Sequence, residues 1–340
     1  MPGVRSNGRD VIGLQAAAAD LVDAFLELSV IGSFSRIGPV VRRRLAGWEA
    51  PPADALDGRT ALVTGPTSGL GRATAEALAA LGARVILVGR SRDRLESLAA
   101  DLTARHGQDR FPVVVADLGS LAAVRVAVDQ ILATEERLDV LVDNAGAIFA
   151  TRELNPDGIE ATLALMAVGP FVLVEGLLPL IRRSGGRVIA VTSGGMYTEP
   201  LDLDNLDGAT GPWSGPRAYA RTKRAQVVLI REWARRHAGS GVTFAAMHPG
   251  WADTPGLADS LPAFHRFMGP LLRTPAEGID TILWLATNPD PGPTSGGLFL
   301  DRRRRPFDRA PQTRVPAADR RRLWDAVVGL SGASDPDASG

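Results

Sequence analysis

Thr64-Gly65-Pro66-Thr67-Ser68-Gly69-Leu70-Gly71 follows the apolar run Thr60 to Thr64 and precedes the alanine-rich run Arg72 to Leu81. A short buried strand, a glycine turn and a helix, in that order, decide the fold. The same alternation continues outward. Apolar strands are expected at Arg84 to Val88, Val113 to Val115, Leu138 to Val142, Arg187 to Val191, Val242 to Met247 and Gly297 to Leu300. Helical stretches at Leu95 to Arg105 and Leu121 to Thr134 separate the early ones. Continuous apolar strands spaced by helices of this length imply a parallel sheet covered on both faces. The fold class is therefore α/β, a Rossmann-type doubly wound parallel sheet of about seven strands, forming a single domain with a helical N-terminal extension.

Punctuation sets the expected boundaries. Pro51-Pro52-Ala53-Asp54 and Asp57-Gly58 close an N-terminal helical extension and linker over 1–56. The main domain covers 57–301, a basic segment and helix cover 302–330, and 331–340 have the composition of a disordered tail. Gly194 to Pro216 and Trp251 to Thr274 break the repeat, and both follow carboxyl ends of strands, where α/β ligands bind.

Composition excludes several functions. Lysine plus arginine and aspartate plus glutamate both total 38, so no net charge draws the chain to nucleic acid, and Arg302 to Arg305 reads as a solvated run. There is no cysteine, and the four histidines are scattered without HExxH spacing, so no metal site is expected. The richest apolar stretch, Val22 to Val41, is broken by Glu27 and Arg36, and the N-terminus lacks a signal-peptide pattern, which makes a cytoplasmic location the expectation. Leu14, Ala17, Leu21, Phe25 and Leu28 recur at helical spacing. Packing on the body or on a partner is expected for that face ahead of weak membrane-surface contact, because Asp20, Asp23 and Glu27 dominate the polar side.

The glycine turn lets a side-chain-free backbone approach a dinucleotide pyrophosphate at a helix N-terminus, with Gly65, Ser68, Gly69, Leu70 and Gly71 as the candidate contacts. At the end of the second strand, where an acidic residue would hold a ribose 2′-hydroxyl, the chain reads Gly89-Arg90-Ser91-Arg92. Arg90 suits a 2′-phosphate, so NADP(H) is expected in preference to NAD(H). Downstream, Tyr219 and Lys223 stand four apart and face the same way on a helix. A phenol with an unperturbed pKa near 10 is ionised only to about 0.1% at neutral pH, and an adjacent ammonium favours its phenolate.

These motifs together resemble the short-chain dehydrogenase/reductase family from about Asp57 to Asp301. The likeness extends to Asp117 and Leu118, Asn144-Ala145-Gly146, Ser193, and Pro249-Gly250 with Thr254. Arg152-Glu153-Leu154, Ser193-Gly194-Gly195-Met196 and His248 to Pro255 resemble one subgroup of it more closely. The resemblance implies that Ser193 bonds the substrate oxygen, Tyr219 exchanges the proton, and Lys223 lowers the tyrosine pKa while holding the nicotinamide ribose. Asp117, with Leu118 beside it, would contact the adenine. Asn144, Ala145 and Gly146 would support the cofactor, with Pro249, Gly250 and Thr254 bordering the nicotinamide. It also implies a homo-oligomer. One departure stands out: Met166 occupies the position of the family's fourth catalytic residue, an asparagine, and a thioether donates no hydrogen bond.

Ser193 and Tyr219 are 219 − 193 = 26 positions apart, a long insertion for this family. Met196, Tyr197, Leu201, Leu203, Leu206 and Trp213 supply apolar material for a pocket wall or for packing the loop on the body. Trp251, Leu257, Leu261, Phe264, Phe267 and Met268 supply the same for a facing lid. The leading expectation is an NADP(H)-dependent enzyme acting on a small apolar or lipid-like carbonyl or alcohol. The alternative is a low-turnover dinucleotide-binding sensor or scaffold, which Met166 alone supports.

Overall fold

The structure, a computed structural model, describes residues 19–107 and 110–332. Leu14, Ala17 and nearly all of the 331–340 tail lie outside the described residues. Eight strands form one sheet in the order β3-β2-β1-β4-β5-β6-β7-β8. They are β1 (Thr60–Thr64), β2 (Arg84–Gly89), β3 (Val113–Val115), β4 (Val140–Asp143), β5 (Arg187–Val191), β6 (Thr243–Met247), β7 (Gly297–Leu300) and β8 (Arg303–Arg305). The first seven are parallel, with Leu62 of β1 in register with Ile86 of β2 and Leu141 of β4. All five residues of β1 are buried because both faces are covered. The chain reverses direction across the sheet between β1 and β4, which opens a crevice at their carboxyl ends.

Helices α4 (Gly69–Ala80), α5 (Arg92–His106) and α12 (Pro275–Thr287) cover one face, burying Leu78, Leu95, Leu102 and Ile282. The other face is covered by α6 (Leu121–Thr134), α7 (Ala161–Leu163), α8 (Gly169–Ser184), α9 (Gly215–Arg236) and the C-terminal α13 (Ala317–Ser331). Trp324 of α13 is fully buried, edge-on to Phe171 at 5.0 Å and to Trp233 at 5.8 Å. Such aromatic burial makes α13 a structural part of the core; truncating a buried tryptophan costs about 3 to 5 kcal/mol.

Three expectations need correction, and a fourth, left open between two readings, is decided. The sheet has an eighth, antiparallel strand, so the run Arg302 to Arg305 is not a fully solvated one: Arg302 and Arg303 are half-buried and Arg304 alone is exposed. Asp301 and Arg302, both at positive φ (54° and 56°), form a two-residue reversal that pairs Leu300 with Arg303, and Arg305 is only 5% exposed. Second, the apolar face of the N-terminal helix points outward. In α1, residues 19–28, Ala19, Asp23 and Leu26 are buried while Leu21, Phe25 and Leu28 are 73%, 74% and 86% exposed. The reason is ionic: Asp23 and Glu27 turn inward to meet arginines of the C-terminal segment. Third, Ala161–Ser184 is a longer apolar helical stretch than Val22 to Val41, long enough by composition to span a bilayer, but most of it is buried in the core. The fourth had two readings for the apolar residues of the 194–216 insertion, a pocket wall or packing of the loop on the body, and most of them pack on the body. Met196 is fully buried in the core, and Tyr197, Leu201, Leu203 and Leu206 pack against it. Leu206 and Trp213 also border a separate cavity of about 100 Å³.

After α1, α2 (Val30–Phe34) and α3 (Ile37–Ala46) run across the open end of the sheet near β6 and β7. Arg42 of α3, 2% exposed, donates to Asp23 at 2.6 Å and also to Glu27 and Asp301. Arg273 donates to Asp301 at 2.6 Å and to the Ser33 carbonyl. Arg305 donates to both oxygens of Asp23, and Arg309 pairs with Glu27. Burial alone would raise the Asp23 carboxyl, but Arg305 and Arg42 outweigh it and hold the group well below the carboxylate range.

Candidate active site

The carboxyl ends of β1 and β4 are stitched together through Thr64. Its Oγ1 accepts from the backbone N–H groups of Asn144 and Ala145, both at 2.9 Å. Asn144 Nδ2 donates to the carbonyls of Thr64 (2.9 Å) and Gly65 (3.3 Å), locking the glycine turn to the end of β4. Gly71 has no room for a side chain: an added Cβ would stand 2.1 Å from the Gly65 carbonyl oxygen and 2.5 Å from Asn144 Nδ2. Ser68, the N-cap of α4, makes no side-chain capping bond. A cradle that any Cβ would fill, at the start of a twelve-residue helix, fits a dinucleotide pyrophosphate. Thr254 lies across from Gly69, whose added Cβ would be 3.3 Å from the threonine Cβ.

Arg90 stands exposed just beyond the end of β2, with no hydrogen-bond or ion-pair partner among the described residues. Asp117, exposed beyond β3, accepts from the Gly119 N–H at 2.9 Å, while Leu118 is buried with its carbonyl against Gly169.

On the other side of the crevice, α9 carries Tyr219 and Lys223. Lys223, 2% exposed, donates through Nζ to the Val191 carbonyl at 2.8 Å and lies 5.6 Å from the Tyr219 ring centroid. Burial pulls the ammonium down to about 8, opposed by the attraction of Asp143. Burial likewise pushes Asp143 up to about 6, against Lys223, Gln226 and Thr64. Gln226, one turn beyond Lys223, donates to Asp143 at 2.9 Å. Burial also raises the Tyr219 phenol above its ordinary value, and a hydrogen bond with Ser193 acts in the opposite direction. Ser193 Oγ accepts from the Gly195 N–H at 3.2 Å, which aims the hydroxyl at the start of a 3-10 turn, Gly194–Tyr197.

Met166 lies in a π-helical turn, Ala164–Val168, between α7 and α8. A Cβ on Gly146 would be 2.9 Å from Met166 Sδ and 3.5 Å from Lys223 Nζ, so the thioether and the lysine end both border Gly146. Wide turns of this kind occur often at functional sites, where they re-aim the backbone.

A cavity of about 480 Å³ gathers Leu70, Asn144, Gly146, Ser193, Tyr219, Lys223, Pro249, Gly250 and Thr254. Gly65, Ser68, Gly69, Gly71, Arg90, Asp117, Leu118 and Ala145 stand outside its lining, beyond the carboxyl ends of β1 to β4 and at the start of α4. The lid expected after β6 forms in part. Trp251, Leu257, Leu261 and Phe264, from α10 (Pro255–Ser260), α11 (Pro262–Met268) and the loops beside them, line the cavity. Phe267 points away at 76% exposure, and Met268 is not part of the lining.

Sequence reading missed Asp143, the counter-charge for Lys223. An acid ending the apolar run Val140-Leu141-Val142 was the available signal, since a buried carboxylate needs a partner. It also missed His248, fully buried between Phe34 (ring centroids 4.8 Å apart) and Tyr197 (6.0 Å). Burial and the surrounding Arg273, Arg309, Arg305 and Arg42 hold that imidazole neutral.

Residues 59–263 match the short chain dehydrogenase family. The chain is 39% identical over 253 residues to dehydrogenase/reductase SDR family member 12 of Bos taurus, covering 74% of this chain and 79% of the relative. It is 35% identical over 283 residues to retinol dehydrogenase 14 of Mus musculus, covering 78% and 83%. Among solved structures, a short-chain-dehydrogenase-like protein of Escherichia coli CFT073, complexed with NADPH, superposes with a TM-score of 0.60 at 25% identity, covering 73% of this chain and 98% of the other.

Proposed function

The chain belongs to the short-chain dehydrogenase/reductase family and is an NAD(P)-dependent oxidoreductase acting on CH–OH groups; from that premise we propose that it interconverts an apolar carbonyl and its alcohol with NADP(H), Tyr219 exchanging the proton. The observation that carries the reading is the convergence of Ser193, Tyr219 and Lys223 on one cavity whose opposite side is apolar. The nicotinamide cofactor, when bound, supplies or accepts the hydride. Ser193 holds the substrate oxygen and Tyr219 delivers its proton there in the reductive direction. Lys223, still charged below about pH 8, supports the phenolate left behind. Asp143 and Gln226 steady the lysine from beneath. Trp251, Leu257, Leu261 and Phe264 favour a substrate with a substantial hydrocarbon portion by excluding water from it. The relative named for retinol supports that class, as Arg90, exposed and without a partner among the described residues, supports the 2′-phosphate.

The test is NADPH oxidation by the full chain with a panel of straight-chain aldehydes, all-trans-retinal, steroid ketones and small polar sugars. Turnover should rise with the apolar surface of the carbonyl compound. A preference for the polar sugars overturns the substrate class, and absence of turnover with every member overturns the catalytic reading.

Weak contact with a membrane surface belongs to the same proposal, supported by the outward Leu21, Phe25 and Leu28. Full-length protein should pellet with phosphatidylglycerol-containing liposomes more than a Leu21→Ser/Phe25→Ser/Leu28→Ser variant does. Equal pelleting overturns this part.

A further inference from the structure

Phe34 is the last residue of α2, in a segment that precedes the family-matched residues 59–263. It is 5% exposed, and it touches both sides of the cavity with different parts of itself. Its ring lies on Gly194: a Cβ added to that glycine would be 2.3 Å from Phe34 Cε2 and 3.0 Å from Cδ2. Gly194 directly follows Ser193 and opens the turn whose Gly195 N–H fixes the serine hydroxyl. The Phe34 carbonyl accepts from the Trp251 N–H at 2.8 Å and from Arg273 Nε at 2.9 Å. A Cβ on Gly250 would come within 2.5 Å of that carbonyl oxygen. Gly250 and Trp251 are the root of the apolar lid, and Trp251 meets Phe264 of the lid edge-on at 5.1 Å.

Phe34 is itself held from behind. Arg273 and Arg42 bond the Ser33 carbonyl, the Arg36 N–H bonds the Leu271 carbonyl, and the Arg309 guanidinium stands 5.5 Å from the Phe34 ring centroid. A rigidly held ring filling the space behind Gly194, with its carbonyl anchoring the lid root, fixes the separation between the serine hydroxyl and the lid.

We propose that Phe34 is a positioning residue for the reaction, setting Ser193 through Gly194 and the lid through Trp251. This rests on the reading of Ser193, Tyr219 and Lys223 as the reacting site. Misplacing a reacting group by about 1 Å costs on the order of 100-fold, so the contact has measurable leverage on turnover. Contacting residues are also the ones whose mutational effects fail to add, which gives the test its signature.

The experiment measures kcat and KM for all-trans-retinal with NADPH in the wild type, Phe34→Ala, Gly194→Ala and the double variant. Gly194→Ala alone drives a methyl into the ring and should lower kcat by about 30-fold, and Phe34→Ala should lower it about tenfold. In the Phe34→Ala background the Gly194→Ala change should cost less than about threefold, because the space it needs has been vacated. Phe34→Leu, which keeps most of the bulk and all of the backbone, should hold at least about half the wild-type kcat and serves if the alanine variant fails to fold. The NADPH dissociation constant should stay within about twofold throughout, since Phe34 touches no part of the glycine turn and the substitutions leave in place its backbone carbonyl, the part of it that meets Gly250. Multiplicative losses in the double variant overturn the proposal. Should the wild type reduce none of the panel, the functional reading fails separately, and amide hydrogen exchange decides the positioning. In Phe34→Ala the amides of Gly195, Met196 and Trp251 should then exchange at least about tenfold faster, whereas unchanged exchange overturns it.

Discussion

The two sides of the crevice are built on different principles. The glycine-turn side is assembled from one βαβ passage and the end of β4, joined by bonds from Asn144 and Ala145 to Thr64 and Gly65 across 79 to 81 positions of chain. The serine side is held by an early and a late segment of the chain, with Arg42 reaching Asp301 across 259 positions and Arg273 reaching Phe34 across 239. Glycines give the first its shape, while buried ion pairs and one aromatic ring give the second its shape. Changes on the two sides should therefore be separable: one class alters cofactor affinity, the other alters stability and turnover.

Tyr219→Phe should give the largest effect. Turnover should fall by about three orders of magnitude with NADPH affinity unchanged, as removal of a general acid/base demands. Persisting activity with this variant breaks the mechanism. Arg42→Ala comes next. It leaves Asp23, Glu27 and Asp301 without their shared cation and should destabilise the fold by about 3 kcal/mol in denaturant unfolding. NADPH affinity below the transition should be retained; if it falls in proportion, the two sides are not separate.

Arg90→Ala should raise the KM for NADPH about tenfold while leaving that for NADH nearly unchanged, the loss expected when one charge-assisted contact to a phosphate goes. Equal effects on both cofactors would assign Arg90 to solubility alone. The smallest effect is titration. Lys223 sits at about 8, below the ordinary lysine value, so its cation is present below that pH and is lost as pH rises through it. kcat/KM should decline on the alkaline side with a midpoint near 8, which a pH profile reads directly. Asp23 gives a matching acid-side check on the clamp: its folded pKa is depressed, so its stabilisation is present above the unfolded value of about 4 and fades as pH falls below it.

The same contrast explains what the sequence disclosed. β1, the glycine turn and α4 were legible because strand period, turn chemistry and helix pattern lie within one short stretch. Tyr219 and Lys223 were legible because helical spacing alone puts them on one face. Arg42, Arg273 and Phe34 were not, since nothing in their local pattern says which distant residue they meet. α1 was read inside out for a physical reason: Asp23 and Glu27 look like a solvated face until Arg305 and Arg309 are folded against them. The insertion residues Met196 and Leu201 had the right chemistry for a pocket wall, but core burial claimed them first.

The clamp also imposes an order on biosynthesis. Residues 19–46 leave the ribosome before any of the sheet, yet their ionic partners Asp301, Arg305 and Arg309 emerge only after β1 to β7. The nascent chain can form β1 to β4 and the glycine turn while its first helices trail unattached. The serine side of the crevice takes its final shape only when the segment carrying Asp301, Arg305 and Arg309 is released, so a chain stalled near residue 300 has its glycine turn made while its serine side and the α13 part of its core are still unfinished.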